Sequence, residues 1–310
     1  MKKAFLIVMI SWFIFPAWAA SPDVVTFGVY PISIYDVDPA NGTFSISYYA
    51  WWRTTDKNYN PTKSIEVVNA RDYSYKFGGK GKVGNEYFTY AHYYAKIHQP
   101  WNSKYFPFGR QFLTIKMEDF ADENKVIFEP DYPESKLHSE FTMPGWNIIG
   151  LSLMKSVTHY ATNFGNASID SSPYARLSFI IEVKRNGWKL YISYFIGFFM
   201  AGILAHLVYM MSSLPFAARA TVFIGSVVAF IGNKYIIDPR LPPSPSYGLA
   251  DAIQMITFLV IIISILASIG LELKYQDEKK RASVSLTIGA ISLIIYVVYI
   301  IIYTWIAVAS

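Results

Sequence analysis

Five histidines (His92, His98, His138, His159 and His206) and an acidic group (Asp119, Asp122, Glu123 and Glu129) are the side chains in this 310-residue sequence best suited to proton or metal chemistry. Their spacing supports neither. The histidines have no metal-ligand spacing, and the chain has no Gly-x-Ser-x-Gly elbow and no glycine-rich phosphate cradle ahead of a helix. The acidic group brackets a strand connection and reads as a solvated turn rather than a cation site. His206 differs because it lies inside a long apolar run, where an ionisable group either serves function or bonds to a neighbouring helix. No catalytic grouping, metal site or cofactor is expected, and the chain does not read as an enzyme.

What must position any functional residue is a chain of two unlike parts. Most acidic residues, 17 of 22, precede Arg185, while the last third is dominated by Ile, Leu, Val, Phe and Ala. This predicts a soluble domain followed by a membrane domain. Residues 1–19 carry Lys2 and Lys3, an apolar core and Ala17-Trp18-Ala19, the pattern of a signal peptide, so residues 20–187 are expected outside the cell or in the periplasm. With no cysteine, that domain must be held by its core alone. The net charge of +5 is spread out, which speaks for a membrane lipid partner and against nucleic acid.

Between Val24 and Arg185, runs rich in Thr, Tyr, Phe, Val and Ile predict strands over Thr26 to Ile34, Gly42 to Trp52, Glu86 to Ile97, Gln111 to Glu118, Trp146 to Ser156 and Ala175 to Val183. Turn clusters fall at Asp38-Pro39-Ala40-Asn41-Gly42, at Gly78-Gly79-Lys80-Gly81 and at Pro130 to Pro133, which together suggest an antiparallel β-sandwich. Residues 188–310 then carry four membrane runs, about 190–211, 218–238, 250–271 and 282–309. The basic link holding Lys274, Lys279, Lys280 and Arg281 predicts a cytoplasmic side, leaving both termini outside an inner membrane.

The second run is unlike the others. Its uncharged part, Ala220 to Asn233, is about 14 residues, short of the roughly 20 that face lipid, so the other helices are expected to shield it. Steps of four and three put Thr221, Gly225, Val228, Gly232 and Tyr235 on one face. The neighbouring stripe carries Val222, Ser226, Ala229 and Asn233, and a register shift of one residue would exchange the two. Small residues in either stripe also serve plain helix packing.

Taken in order, these features resemble a pentameric ligand-gated ion channel of the Cys-loop receptor superfamily, in its compact bacterial form. Gln99-Pro100-Trp101-Asn102-Ser103-Lys104-Tyr105-Phe106-Pro107-Phe108-Gly109-Arg110-Gln111-Phe112-Leu113 is similar to the loop that names the superfamily, with Gln99 and Leu113 where animal receptors carry paired cysteines. Arg185 stands where the family has a basic residue before the first helix, and Arg219 to Leu241-Pro242 has the family's second-helix spacing. Gly109 departs from the usual Asp and Gly197 from the usual first-helix proline. The span from Trp52 to Pro100 is short and lacks the family's Trp-x-Pro pocket segment.

The resemblance implies a homopentamer with permeant ions passing a central pore lined by the second helix, gated by an unknown small molecule or by protons. Thr221, Gly225, Val228, Gly232 and Tyr235 would line the pore, with a constriction at Val228 or at Tyr235 and Ile236. Ala217, Ala218 and Arg219 would set charge selectivity; they resemble the anion-selective pattern. Phe106, Pro107, Arg185 and Pro242 would couple the sandwich to the pore through a contact between residues 105–108 and the loop 239–247. Trp52, Trp146, Tyr160 and Tyr174 are the ligand-binding candidates, the last two bracketing a capping loop, Ala161 to Pro173. A non-conducting membrane sensor or adaptor that keeps this fold is the second reading, favoured by the departures. A membrane-bound periplasmic enzyme is a weaker third.

Overall fold

The structure, a computed structural model, describes residues 22–122, 125–162, 165, 173–242 and 246–310; the expected signal peptide, most of the expected capping loop and part of the acidic group lie outside them. Among the described residues, nine strands form two sheets, and four long helices follow. The first sheet has the order β4 (Ala70–Val83), β5 (Glu86–His98), β2 (Thr43–Thr54), β1 (Asp23–Asp38), β7 (Val126–Pro130). The second has the order β3 (Ile65–Val67), β6 (Arg110–Asp122), β9 (Pro173–Lys184), β8 (Asn147–His159). A four-residue helix, α1 (Pro61–Ser64), leads into β3. All pairings are antiparallel except β1 with β7, which run parallel.

Alternation builds the sandwich core. Phe27, Val29, Ile46, Tyr48, Ala50, Trp52 and Tyr93 of the first sheet meet Leu113, Ile115, Met117, Leu177, Phe179 and Ile181 of the second. Their neighbours in sequence, such as Trp51 and Arg53, point away from it. The one sequence expectation the strands overturn is the turn at Gly78-Gly79-Lys80-Gly81, which lies inside β4. The ladder shifts register between Phe77 and Gly79, and the ring of Tyr90 lies 2.1 Å from where a Cβ on Gly78 would sit. The glycines let an aromatic ring lie on the strand; the turn falls instead at Gly84, with φ of 59°.

The same alternation makes adjacent tryptophans unequal. Trp52 is 1% exposed and packs on Phe27 and Tyr93 at 5.1 and 6.1 Å, whereas Trp51 holds Asp131 by a 3.1 Å hydrogen bond on the opposite face. Trp52→Ala is therefore expected to destabilise the sandwich by about 3–5 kcal/mol, against about 1 kcal/mol for Trp51→Ala. Chemical denaturation followed by near-ultraviolet circular dichroism checks this; equal losses would show that the two rings are not on opposite faces.

The helices are α2 (Trp188–Met210), α3 (Phe216–Ile237), α4 (Leu249–Lys274) and α5 (Glu278–Ala309), each long and apolar enough to cross a membrane. A 3-10 turn, Asp238–Arg240, ends α3. Besides its buried apolar clusters, the bundle is tied by side-chain bonds to backbone oxygens, as befits helices in an apolar solvent. Ser285 donates to Tyr209 O at 2.8 Å, and Tyr296 lies between the Thr257 hydroxyl at 3.1 Å and Phe198 O at 3.3 Å. His206 is also used this way: its ring nitrogens lie 2.7 Å from Gly202 O and 3.2 Å from Ser292 Oγ, joining α2 to α5.

Candidate functional site

Helix α3 divides into two faces. Phe223, Ser226, Asn233 and Ile237 are buried within the chain. Ser226 donates to Ala201 O at 2.7 Å, and seven residues on, Asn233 donates to Tyr194 O at 2.7 Å while accepting from the Gly197 amide at 3.1 Å. Asn233 thus inserts into the backbone hydrogen-bond ladder of α2. Gly197 is required for this, since a Cβ there would come within 2.4 Å of Asn233 Oδ1. The other face, carrying Thr221, Ile224, Val228, Ile231, Gly232 and Tyr235, is open in the single chain, with Val228 63% and Tyr235 79% exposed. Gly225 is half-buried near Leu204. Thr221 bonds back to Ala217 O at 3.2 Å.

At the N-terminal end of α3, Ala217 and Ala218 are exposed but Arg219 is only 2% exposed. Its guanidinium turns toward α4, where it pairs with Glu272 and Ser268, and it lies over the Phe216 ring at 5.6 Å. At the C-terminal end, Lys234 pairs with Asp238 at 2.8 Å, and both bond to Gln254.

The segment 99–113 joins the sandwich to the helices. Gln99 Oε1 accepts from the Thr114 amide at 2.8 Å and Gln99 Nε2 donates to Phe112 O at 2.5 Å, so one amide staples the loop to β6 on both sides of Leu113. Gln111 does the same with the backbone of Asn102. Phe106 stacks on Tyr194 at 5.7 Å, and Phe108 packs on Trp188 and Tyr191 at 5.0 and 5.5 Å. Lys104 O accepts from the first amide of α4, Leu249, at 2.8 Å. The loop therefore reaches α2 and the start of α4, with Phe108 sharing a buried cluster with Ile237, Leu249 and half-buried Leu241. Pro242 is buried beside it, Pro243 and Pro245 lie outside the described residues, and Arg185 lies over the Trp146 ring at 5.1 Å. Burial pushes the Arg185 guanidinium below its usual value.

Within the single chain the four ligand candidates do not converge. Trp52 is core. Trp146 packs on Trp101 at 5.5 Å, beneath Arg185. Only Tyr160 and Tyr174 meet, their rings 5.6 Å apart. Around them are residues that aromatic spacing does not reveal. Tyr160 donates to Glu118 at 2.7 Å, Arg176 pairs with the same carboxylate at 2.6 Å, and Glu66 lies opposite Glu118 across the β3–β6 ladder. Phe120, two residues on, is 58% exposed. The available signal was the pair Glu118-Asp119 interrupting an apolar strand. Asp119 itself is buried and accepts from Tyr59 at 2.6 Å and Ser64 at 2.9 Å. On the far face of the sandwich, Trp51, Arg53, Val83, Phe88, Asp131 and Glu134 line a separate cleft of about 370 Å³.

Two titrations follow from this geometry. Burial, then the charge of Glu118, raises the Glu66 carboxyl above its ordinary value, with Arg176 opposing. A raised carboxyl binds its proton better in the folded chain, so its stabilising contribution is present below the unfolded value and is lost as pH rises through the folded one. His92 has the opposite sign: burial, then Lys76, lowers it, so its contribution is present at neutral pH and is lost as pH falls through the folded value. Melting temperatures of the full chain between about pH 4 and 7 should show Glu66→Gln gaining stability relative to the unaltered chain as pH rises, because the contribution that Glu66 loses is absent from the variant. An unchanged slope would show that Glu66 is not the group responsible.

No protein-family profile matches the chain. It is 18% identical to a protein of Gloeobacter violaceus described as a proton-gated ion channel, over 88% of this chain and 82% of that one. That similarity runs through both halves. With four helices fit to cross a bilayer, it makes this a multi-pass membrane protein whose distant relative is a channel rather than an enzyme.

Proposed function

We propose that the chain is a subunit of a homopentameric ligand-gated ion channel, with five copies of α3 around a central pore and the sandwich outside the inner membrane, both termini on that side. The observation that carries this is the division of α3. One face is tied by Ser226 and Asn233 into its own bundle, while the other, from Thr221 through Val228 to Tyr235, is left open in a helix otherwise suited to the membrane interior. Placing that face on a shared axis covers it and gives a path whose apolar ring at Val228 closes by dewetting. An agonist shifts the balance only through tighter binding to the rearranged form. Movement would pass from Phe106, Pro107 and Phe108 to the starts of α2 and α4, and so to α3.

Protons are the favoured trigger, given the named activity of the relative and the shared position of Glu66 and Glu118 beside a single Arg176. With Ala217 and Ala218 at the inner mouth and no carboxylate in that stretch, the pore is expected not to favour cations and to pass chloride. Reconstitution into planar bilayers with steps to acid pH and a salt gradient tests the reading. Acid-evoked current reversing toward the chloride potential, moved toward cations by Ala218→Glu, is the expected result. Silence across pH would favour a non-conducting sensor.

A further inference from the structure

The Arg219–Glu272 pair bears on ion selectivity, and its role rests on the channel reading above. Arg219 is the charged residue on α3 nearest the inner mouth, yet its guanidinium is not on the open stripe. It is 2% exposed, turned toward α4 and engaged by the Glu272 carboxylate and Ser268. The Glu272 side chain is 40% exposed, so the negative member of the pair is the one that solvent reaches. Other charges at this end make separate contacts. Lys274 and Lys280 lie over the Tyr275 ring at 5.5 and 5.6 Å, Arg281 donates to Ser212 O at 3.1 Å, and Asp277 caps α5.

We infer that Glu272 is a selectivity-determining residue: by pairing with Arg219 it cancels a ring of positive charge at the inner mouth and sets how much anion preference the pore expresses. A close ion pair looks like a dipole from the pore axis, and its field falls off faster than that of a lone charge. Removing one partner restores a full charge per subunit, repeated around the ring. Removing Arg219 exposes a ring of carboxylates, and removing Glu272 exposes a ring of guanidinium groups.

A cycle of four proteins tests this by reversal potentials in a salt gradient: the unaltered chain, Glu272→Gln, Arg219→Gln and the double variant. Glu272→Gln should raise the chloride-to-cation permeability ratio by about threefold or more, the effect of about half a kT of added potential acting in opposite senses on the two ions. Arg219→Gln should shift it about as far the other way, and the double variant should return to the unaltered value. Both single shifts should grow as ionic strength falls, because screening weakens. If Glu272→Gln does not assemble because it strands a buried guanidinium, Arg219→Gln and the double variant still decide the matter. Single variants that shift in the same direction, or an Arg219→Gln channel with unaltered selectivity, overturn the inference and leave the channel reading standing. No current from the unaltered chain under any condition removes the reading, and the inference with it.

Discussion

Gly197→Ala is expected to cost more stability than Asn233→Ala, although it adds only one methyl group. The new Cβ would lie 2.4 Å from Asn233 Oδ1 and 2.6 Å from Asn233 Cβ, far inside contact distance, and the neighbour that must yield is held by two backbone bonds. Overpacking of this kind costs about 1–3 kcal/mol or more. Removing the Asn233 amide forfeits two interhelical hydrogen bonds worth about 0.6 kcal/mol each in a membrane. The double variant should therefore recover part of the loss of Gly197→Ala, since the contacts with Asn233 Oδ1 and Cγ at 2.4 and 2.7 Å disappear while the 2.6 Å approach to the residue's Cβ remains, a coupling of about 0.5–3 kcal/mol. Thermal unfolding of detergent-purified protein measures all three. Additive losses would mean that the two side chains do not meet.

At the junction, Gly248→Ala should uncouple the sandwich from the helices. Its Cβ would lie 2.6 Å from Lys104 O, the oxygen that receives the Leu249 amide, so the substitution breaks the contact between the 99–113 loop and α4. Gly187→Ala strikes the same loop from α2, with its Cβ 2.5 Å from Pro107 O. Both positions lie between the two cores rather than in either. The expected result is an assembled protein with normal melting of the sandwich but at least a tenfold loss of acid-evoked current, about 1.4 kcal/mol of lost coupling. Pro107→Ala, Arg185→Ala and Pro242→Ala should act in the same sense, more weakly. Unaltered responses at equal protein levels would show that this contact does not transmit.

The architecture is legible in the sequence because its signals are long: runs of β-branched and aromatic residues for the sandwich, and apolar stretches for the helices. Strand β4 is hidden because its glycines, chosen to admit the Tyr90 ring, read as a turn. Strands β3 and β7 alternate in burial but are too short for that pattern to stand out in the sequence. On α3, the recurrence of Thr221, Val228 and Tyr235 separates an open face from the one bearing Ser226 and Asn233, and spacing alone reveals that division. Which face turns inward depends on partners in α2 that spacing cannot supply. Arg219 and Glu272 are 53 residues apart, so their pairing exists only in the folded bundle. Trp51 and Trp52 show the same limit at short range, since one step of register decides which ring is core.

The chain contains no cysteine, so a single introduced thiol can report on the proposed pore without altering the background. Val228→Cys, on the open face, and Ser226→Cys, on the buried one, should be reconstituted and exposed to a charged methanethiosulfonate reagent during acid-evoked current. A pore lined by the open face gives rapid, irreversible block through Cys at position 228 and no effect at position 226. Block at 226 with 228 unaffected, or no current under any condition, would contradict it.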